Sequence, residues 1–425
     1  MTRPRYGWYG DDFTGATDTL ATLASAGLRA TLFMGIPSAA QLEQAGPLDA
    51  VGIAGAARVM SPAEMRTELE PVGRFFAGLG VPVLHYKCCS TFDSAPDVGS
   101  IGAAIDILRS HVPNGFVPII GGQPSLGRFC AFSTLFAAAG AGGEVFRIDR
   151  HPTMSHHPVT PMREADLRQH LALQGLPRIV AAHAPVDMTR LDAMLDAQPT
   201  APAVLFDVMS EADLAAIGPV IWRQATTKPL LAVGASSVAR ALIAAWGKQT
   251  AVPASSAVPA ADGPVLVLAG SLSPVTRHQV AAATKFQRIA IDARRLIDDE
   301  AYPAELVTAI TDQLRSGCHV LGYTAADGMP MDTTRAMDVA SSTAKLVASV
   351  LDRLPLKRVG IAGGDTSSRA VQALELWGLS HGATLAPGVA LCRTHARMPG
   401  RDGIQLMLKG GQMGPVDLFD RFIGE

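Results

Sequence analysis

Residues 6–27 read YGWYGDDFTGATDTLATLASAG, and the fold turns on this stretch. The apolar run at 6–9 has the length of a buried strand. Gly10, Asp11 and Asp12 follow it, Thr14-Gly15 opens a helical pattern, and Gly27 stops that pattern. Strand, turn and helix in this order predict one βα unit with two adjacent carboxylates at the strand's carboxyl end. One aspartate suffices to cap the helix. The other is left to accept hydrogen bonds from a polyol or to serve as a base.

The same alternation extends outward. Strands are expected at 30–34, 50–54, 83–87, 116–120, 204–206 and 230–233, and then at 265–268, 289–291, 319–323 and 358–362. Leu306, Ile310 and Leu314 repeat as one helix face does, as do Val339, Thr343, Leu346, Val347, Val350, Leu351 and Leu354. Between the two series, residues 251–263 read AVPASSAVPAADG, a Pro/Ala/Ser-rich segment without helix or strand period. At about 150 residues per domain, the expectation is α/β: two α/β domains with mostly parallel sheets, at 1–250 and 264–425, joined by a linker at 251–263.

Composition narrows the function. Of 425 residues 48% are hydrophobic and 17% charged, which excludes a largely disordered chain. A net charge of -2 offers no field for polyanions, so neither nucleic acid nor a membrane surface is an expected partner. No apolar run reaches membrane-spanning or signal-peptide length. The five scattered cysteines form no CxxC, and the expected compartment is the reducing cytoplasm.

Three segments of the second half join glycine to hydroxyls: AGSLSP at 269–274, AGGDTSSR at 362–369 and KGGQMG at 409–414. The first two lie between an expected strand and an expected helix, where backbone N–H groups attract anions. A tight turn with a helix cap explains any one of them equally well. No GxxxxGK[ST] occurs and no GxGxxG follows a strand. In the first half HYKCCSTFDS (85–94) puts Lys87 beside Ser90, Thr91, Asp93 and Ser94, a setting for a small anionic polyhydroxylated ligand. Arg58 could join it as a carboxylate clamp or lie in a surface salt bridge. His151, His156 and His157 sit in a Pro-rich stretch without metal-ligand spacing and read as a surface or interface loop, compatible with a homodimer. From the residues alone this is a two-domain α/β protein that binds a phosphate compound. An NAD-dependent dehydrogenase and a non-catalytic sugar-acid sensor remain as alternatives.

YGDDFTGATDTL (9–20), YKCCSTFDS (86–94), GSIG (99–102), HHPVTPM (156–162), AGSLSP, AGGDTSS and LKGGQMG (408–414) occur in the order found in the four-carbon acid sugar kinase family, which the chain resembles over nearly its whole length. The resemblance implies an N-terminal sugar-acid domain, a C-terminal ATP domain and an active-site cleft between them. It implies transfer of the γ-phosphoryl group to the terminal hydroxyl of a 3-oxo-tetronate, threonate, erythronate or 3-oxo-isoapionate, the first being favoured by the YKCCSTFDS and HHPVTPM stretches. The family's substrate positions fall on Asp12, Arg58, Lys87, Cys88, Cys89 and Ser90. Its nucleotide positions fall on Ser271, Gly363, Gly364, Asp365, Thr366 and Gly411. Mg²⁺ would bridge the phosphates near Asp365, with no set of protein ligands dedicated to a metal. Asp12 is the first choice to orient or deprotonate the attacking alcohol and Asp365 the second. The chain departs from the family pattern around Arg58 (AGAARVM), at Asp365, where many relatives have Glu, and in KGGQMG, where they have KSGNFG.

Overall fold

Gly10, Ala54, Lys87 and Gly234 stand level at the carboxyl ends of four neighbouring parallel strands in the computed structural model. The structure describes residues 3–140, 142–157, 159–185, 203–247, 258–270, 273–325 and 333–424, with the backbone alone at 325, 333, 334 and 365. The chain divides into two compact units, Met1–Val252 and Pro253–Glu425.

In the first unit the parallel strands are β1 (Tyr6–Gly10), β2 (Ala30–Phe33), β3 (Ala50–Ala54), β4 (Val83–Lys87), β5 (Val117–Ile120), β9 (Ile179–Ala182), β10 (Ala203–Phe206) and β11 (Leu230–Gly234). They lie in the order β2-β3-β1-β4-β11-β5-β10-β9. Every residue of β1, β3, β4 and β11 is buried, as expected of strands covered on both faces. Helix α1 (Phe13–Ser25) follows β1 and buries Ala16, Leu20 and Leu23. It ends two residues before Gly27, which takes the left-handed φ of 81° just beyond the C-cap Ala26. The chain runs from β1 to one side of the sheet and resumes with β4 on the other, so β1 and β4 flank a topological switch point.

The sequence reading contains no antiparallel hairpin, and the structure has consecutive antiparallel strands in each unit. In the first, β6 (Arg128–Ala131), β7 (Thr134–Ala138) and β8 (Val145–Arg147) make a separate antiparallel sheet. Its first turn is two residues long, Phe132-Ser133, with φ of 49° and 67°. That is a type I′ turn, whose usual signal is Asn-Gly. Here the strain is held by Asp207, whose carboxylate accepts the N–H groups of Phe132 (2.6 Å) and Ser133 (2.9 Å).

In the second unit β13 (Gln287–Asp292), β14 (Val320–Ala325), β12 (Val265–Ala269), β15 (Arg358–Ala362) and β18 (Gln405–Lys409) are parallel in that order. Then β17 (Val389–Ala396) and β16 (Leu376–Ala386) continue it antiparallel. Val267, Leu321, Met407, Phe419 and Phe422 fill the core. Arg358 is buried and donates to Gln405 Oε1 and to the carbonyls of Phe422, Ile423 and Pro259. Of the expected linker, 251–257 lies outside the described residues. Beyond it Val258 and Ala261 pack on the second unit's core, and Ala261 N donates to Ile423 O.

Removing the Asp207 carboxylate strands two strained amides. Asp207→Ala is expected to cost roughly 3 kcal/mol in denaturant unfolding, whereas Ser133→Gly, which relieves the left-handed φ, should gain up to ~1 kcal/mol. An Asp207→Ala variant as stable as the parent would refute this account of the turn.

Candidate active site

At the switch point Asp11 and Asp12 leave β1 in different directions. Asp12 is the N-cap of α1: its Oδ1 accepts from Gly15 N (2.8 Å) and its Oδ2 from Thr14 Oγ1 (2.9 Å). Arg58, in a short turn after β3, donates Nε and Nη2 to the Asp11 carboxylate at 3.3 and 3.0 Å and places Nη1 2.9 Å from Asp12 Oδ2. Lys87 ends β4 with its Nζ 3.7 Å from Asp12 Oδ1. Asp11 and Lys87 are buried, Arg58 and Asp12 partly exposed. Two carboxylates and two cations form a knot of zero net charge.

The electrostatics follow from that geometry. Burial opposes ionisation of Asp12, but Arg58, Lys87 and the hydrogen bonds from Thr14 and Gly15 overcome it and bring its pKa down to about 2. For Asp11 burial wins and its pKa is raised despite Arg58. Burial also works against the Lys87 ammonium, yet Asp12 and Asp11 hold its pKa above the ordinary value. Asp12 thus keeps its charge and is a weak base.

The loop after β4 carries the remaining first-half candidates. Cys88 is buried and its N–H donates to Gly234 O (3.0 Å). Cys89 Sγ lies 2.9 Å from Thr91 Oγ1, and Thr91 in turn bonds Asp93. Ser94 is tied to His170 (2.9 Å) and Gln174 (2.8 Å). Thr91, Asp93 and Ser94 are therefore committed to the loop itself, which is how Phe92 is held at φ 54°. Ser90 is buried and makes no side-chain hydrogen bond among the described residues. The structure thus brings Asp12, Arg58 and Lys87 into direct contact and sets Cys88, Cys89 and Ser90 on the loop that leaves Lys87. The missing partner in the sequence reading was Asp11, which takes the bidentate edge of Arg58 expected to clamp a ligand.

In the second unit the register sets Ala269 of β12 against Ala362 of β15, and Ala362 against Lys409 of β18. All three glycine segments therefore start from one edge of three adjacent strands. Gly270 N donates to Ala362 O and Gly363 N to Lys409 O, each at 2.9 Å. Gly363 has φ 127° and is the N-cap of helix α2 (Gly364–Ala373), so the N-cap residue supplies no side-chain cap. No hydrogen bond from its leading N–H groups occurs among the described residues, and such groups attract an anion. Thr366 is buried, and its Oγ1 lies 2.3 Å from where a Cβ on residue 270 would sit. The Gly411 carbonyl accepts from Ser273 Oγ and from Thr276 Oγ1 (2.9 Å). Ser271 and the side chain of Asp365 lie outside the described residues.

The sequence reading also missed Lys409. Its buried Nζ donates to Thr276 Oγ1 (2.8 Å) and Gly411 O (3.4 Å), with no carboxylate paired to it among the described residues, and burial brings its pKa down to about 7. The signal was present as the lysine opening KGGQMG at a strand's end. Among the described residues no three His, Cys, Asp or Glu gather as metal ligands. His151 and His157 instead accept N–H groups of their own loop, from Thr153, Met154 and Thr160. All five cysteines are free thiols, and among the described residues no helix is long and apolar enough to cross a membrane.

Gly15 is fixed by close approach, since a Cβ there would sit 1.7 Å from Lys87 Nζ. Gly15→Ala is expected to lower stability by about 1–3 kcal/mol as Lys87 is displaced from Asp12. Gly78→Ala, at a helical position with nothing within 4 Å of the new Cβ, should instead raise it by about 0.5–1 kcal/mol. Equal effects in thermal unfolding would contradict the packing at residue 15.

Residues 6–242 match the sugar-binding N-terminal domain family, and residues 266–419 match the nucleotide-binding C-terminal domain family. The chain is 39% identical to a 3-oxo-isoapionate kinase of Paraburkholderia graminis, over 97% of this chain and 92% of that protein. It is 31% identical to a 3-oxo-tetronate kinase of Methylobacterium radiotolerans, over 98% and 97%. A crystal structure of a Haemophilus influenzae protein is similar at a TM-score of 0.72 and 25% identity, covering 98% of each chain. With both domain families matched in order and relatives aligned end to end, the chain belongs to the four-carbon acid sugar kinase family.

Proposed function

We propose that the chain phosphorylates the terminal hydroxyl of a small sugar acid with ATP as donor. The observation that carries this reading is the convergence of three glycine segments on β12, β15 and β18 beside a helix start whose N-cap is a glycine, a setting in which backbone amides hold a phosphate chain. Kinase relatives spanning the whole chain give the reaction class. The substrate is a carboxylic acid bearing hydroxyls. The motifs favour 3-oxo-tetronate, and the 39% identical relative adds 3-oxo-isoapionate as an equal candidate.

In this reading Gly363, Gly364, Asp365, Thr366 and Gly411 line the phosphates with Ser271, and Lys409 fixes the Gly411 segment from below. Asp365 would be the carboxylate beside a Mg²⁺ bound with the nucleotide, which would supply neutralisation of phosphate charge. The sugar acid meets Asp12, Lys87 and Ser90 at the first unit's switch point, with Arg58, Cys88 and Cys89 shaping the floor. Three of the four lone-pair sites on Asp12 take hydrogen bonds or the Arg58 contact, and the fourth faces Lys87 beyond hydrogen-bond distance. One position remains for a substrate hydroxyl. That oxygen attacks the γ-phosphorus, the bond to the β-phosphate oxygen breaks, ADP departs and the hydroxyl proton is released. A loose transition state needs little base assistance, so Asp12 orients more than it deprotonates.

An ADP-release screen over tetronates, 3-oxo-tetronates and 3-oxo-isoapionate tests the activity. Release with one of these acids and not with neutral polyols is expected, while tight acid binding without ADP would mark a sensor. Asp12→Asn should lower kcat/KM by about 10–100-fold, chiefly through KM. No limb of the parent's profile between pH 5 and 8 should vanish with it, because Asp12 is ionised throughout. A lost limb near pH 6–7 would instead make Asp12 the base. For Lys409 the sign is opposite: the ammonium is present below about pH 7 and lost above it. The parent's kcat/KM for ATP should therefore fall above that pH, and Lys409→Met should flatten the profile at a level about tenfold lower.

A further inference from the structure

The knot at the switch point raises a question of charge. Arg58 spends its Nε–Nη2 edge on Asp11 and its Nη1 on Asp12, and Lys87 faces Asp12. Two positive and two negative charges cancel, so a carboxylate arriving from solvent finds no net attraction there. A sugar-acid site needs one cation more, and that cation must have no carboxylate of its own.

Arg128 meets this requirement. It opens β6, directly after the left-handed Gly127 (φ 68°). Its backbone exchanges hydrogen bonds with Gln123, at 3.2 and 2.9 Å. The Gln123 side chain donates to Asp18 Oδ2 (3.1 Å) on α1, the helix that Asp12 caps, and to Ser236 Oγ (2.6 Å). Gln123 thus links the arginine's strand to the helix of the candidate site. Cys89 lies within Coulombic reach of Arg58, Lys87 and Asp12, and also of Arg128. Of the three cations in that neighbourhood, only Arg128 has no carboxylate partner among the described residues. Among the described residues its guanidinium has a single hydrogen bond, from Nη1 to Leu126 O. Nε is buried with no partner among the described residues, and burial pulls the group's pKa down. A desolvated, unpaired guanidinium N–H costs stability unless an acceptor meets it. The Nε–Nη2 edge, unspent among the described residues, has the parallel-donor geometry that takes a carboxylate bidentately once the side chain turns toward it.

We propose that Arg128 is the residue that grips the carboxylate of the sugar acid. This rests on the sugar-acid kinase reading and deepens it. The division of labour is then chemical: Asp12, Lys87 and Ser90 meet the hydroxyl end, Arg58 stays bound to its two aspartates, and Arg128 selects acids over neutral polyols.

The test uses the full-length chain, the best acid from the ADP-release screen and that acid's methyl ester, which keeps the hydroxyls and loses the charge. For Arg128→Gln the expected result is a rise in KM for the acid of about a hundredfold, with kcat within a few-fold and the ester's kcat/KM within two- to threefold of the parent. Arg128→Lys should restore part of the acid's advantage, since it returns the charge without the fork. An unchanged KM for the acid, or equal losses for acid and ester, would overturn the proposal, the latter by reducing Arg128 to a structural role. Should Arg128→Gln fail to fold, a crystal of the parent soaked with the acid decides: its carboxylate on Arg128 supports the assignment, and its carboxylate on Arg58 or Lys87 refutes it. If the parent releases no ADP with any acid, the kinase reading fails separately, and the soaked crystal still reports whether Arg128 holds the acid.

Discussion

One guanidinium holds two adjacent carboxylates, and the first unit's site depends on that bond. Without Arg58, Asp11 and Asp12 would be two negative charges side by side at the end of one strand, one of them buried. Such a pair repels itself and would leave one aspartate protonated. With Arg58 bridging them, Asp11 becomes structural and Asp12 is freed to cap α1 while staying ionised. The arrangement requires β1, β3 and β4 to be neighbours in register, because Arg58 follows β3 and Lys87 ends β4. Here the parallel sheet serves as the device that gathers three remote segments of sequence at one edge.

The second unit uses the same edge for a different task. Its segments offer backbone amides and hydroxyls in place of paired charges. The cation beneath them, Lys409, is bound to neutral oxygens alone among the described residues. A buried ammonium among neutral acceptors is poorly solvated and gains more from an approaching polyanion than an ion-paired lysine would. The first unit thus presents a balanced charge knot and the second an unbalanced cation. A small acid with several hydroxyls and a triphosphate differ in the same sense.

The parts of this that were legible in the sequence are those set by local pattern. Strands at 50–54, 83–87 and 358–362 have the ends that their apolar runs predict, because buried parallel strands are short unbroken apolar runs. Two of the three glycine segments, AGSLSP and AGGDTSSR, were legible as βα turns for the same reason, whereas the strand at 405–409 that leads into KGGQMG was not expected. The hairpins were not. Phe132-Ser133 adopts a turn that normally announces itself with Asn-Gly, and what stabilises it is Asp207, some 75 residues away in sequence. Pro387-Gly388 between β16 and β17 did carry a turn signal, with Gly388 at φ 74°, and it was overlooked. The pairing of Arg58 with Asp11, 47 residues apart, was hidden for a different reason. A sequence displays a charged residue but not whether a neighbour in space has already used it.

That distinction governs how charged residues in a binding site should be weighed. An arginine next to candidate ligand-binding residues invites assignment to the ligand, yet its forked edge can serve only one carboxylate at a time. Arg58 has two at hand within the chain, both immobilised by β1 and α1, so an incoming carboxylate would have to displace an acceptor already paid for in conformational entropy. Arg128 has none to displace among the described residues. When two arginines border one site, the one whose donors are unspent gains more from the ligand, because its desolvation cost is already present in the empty protein while its hydrogen bonds are still to be made. On the proposed assignment, affinity for the acid would lie with the arginine that looks less integrated in the ligand-free fold, and Arg58, the better connected of the two, would belong to the scaffold.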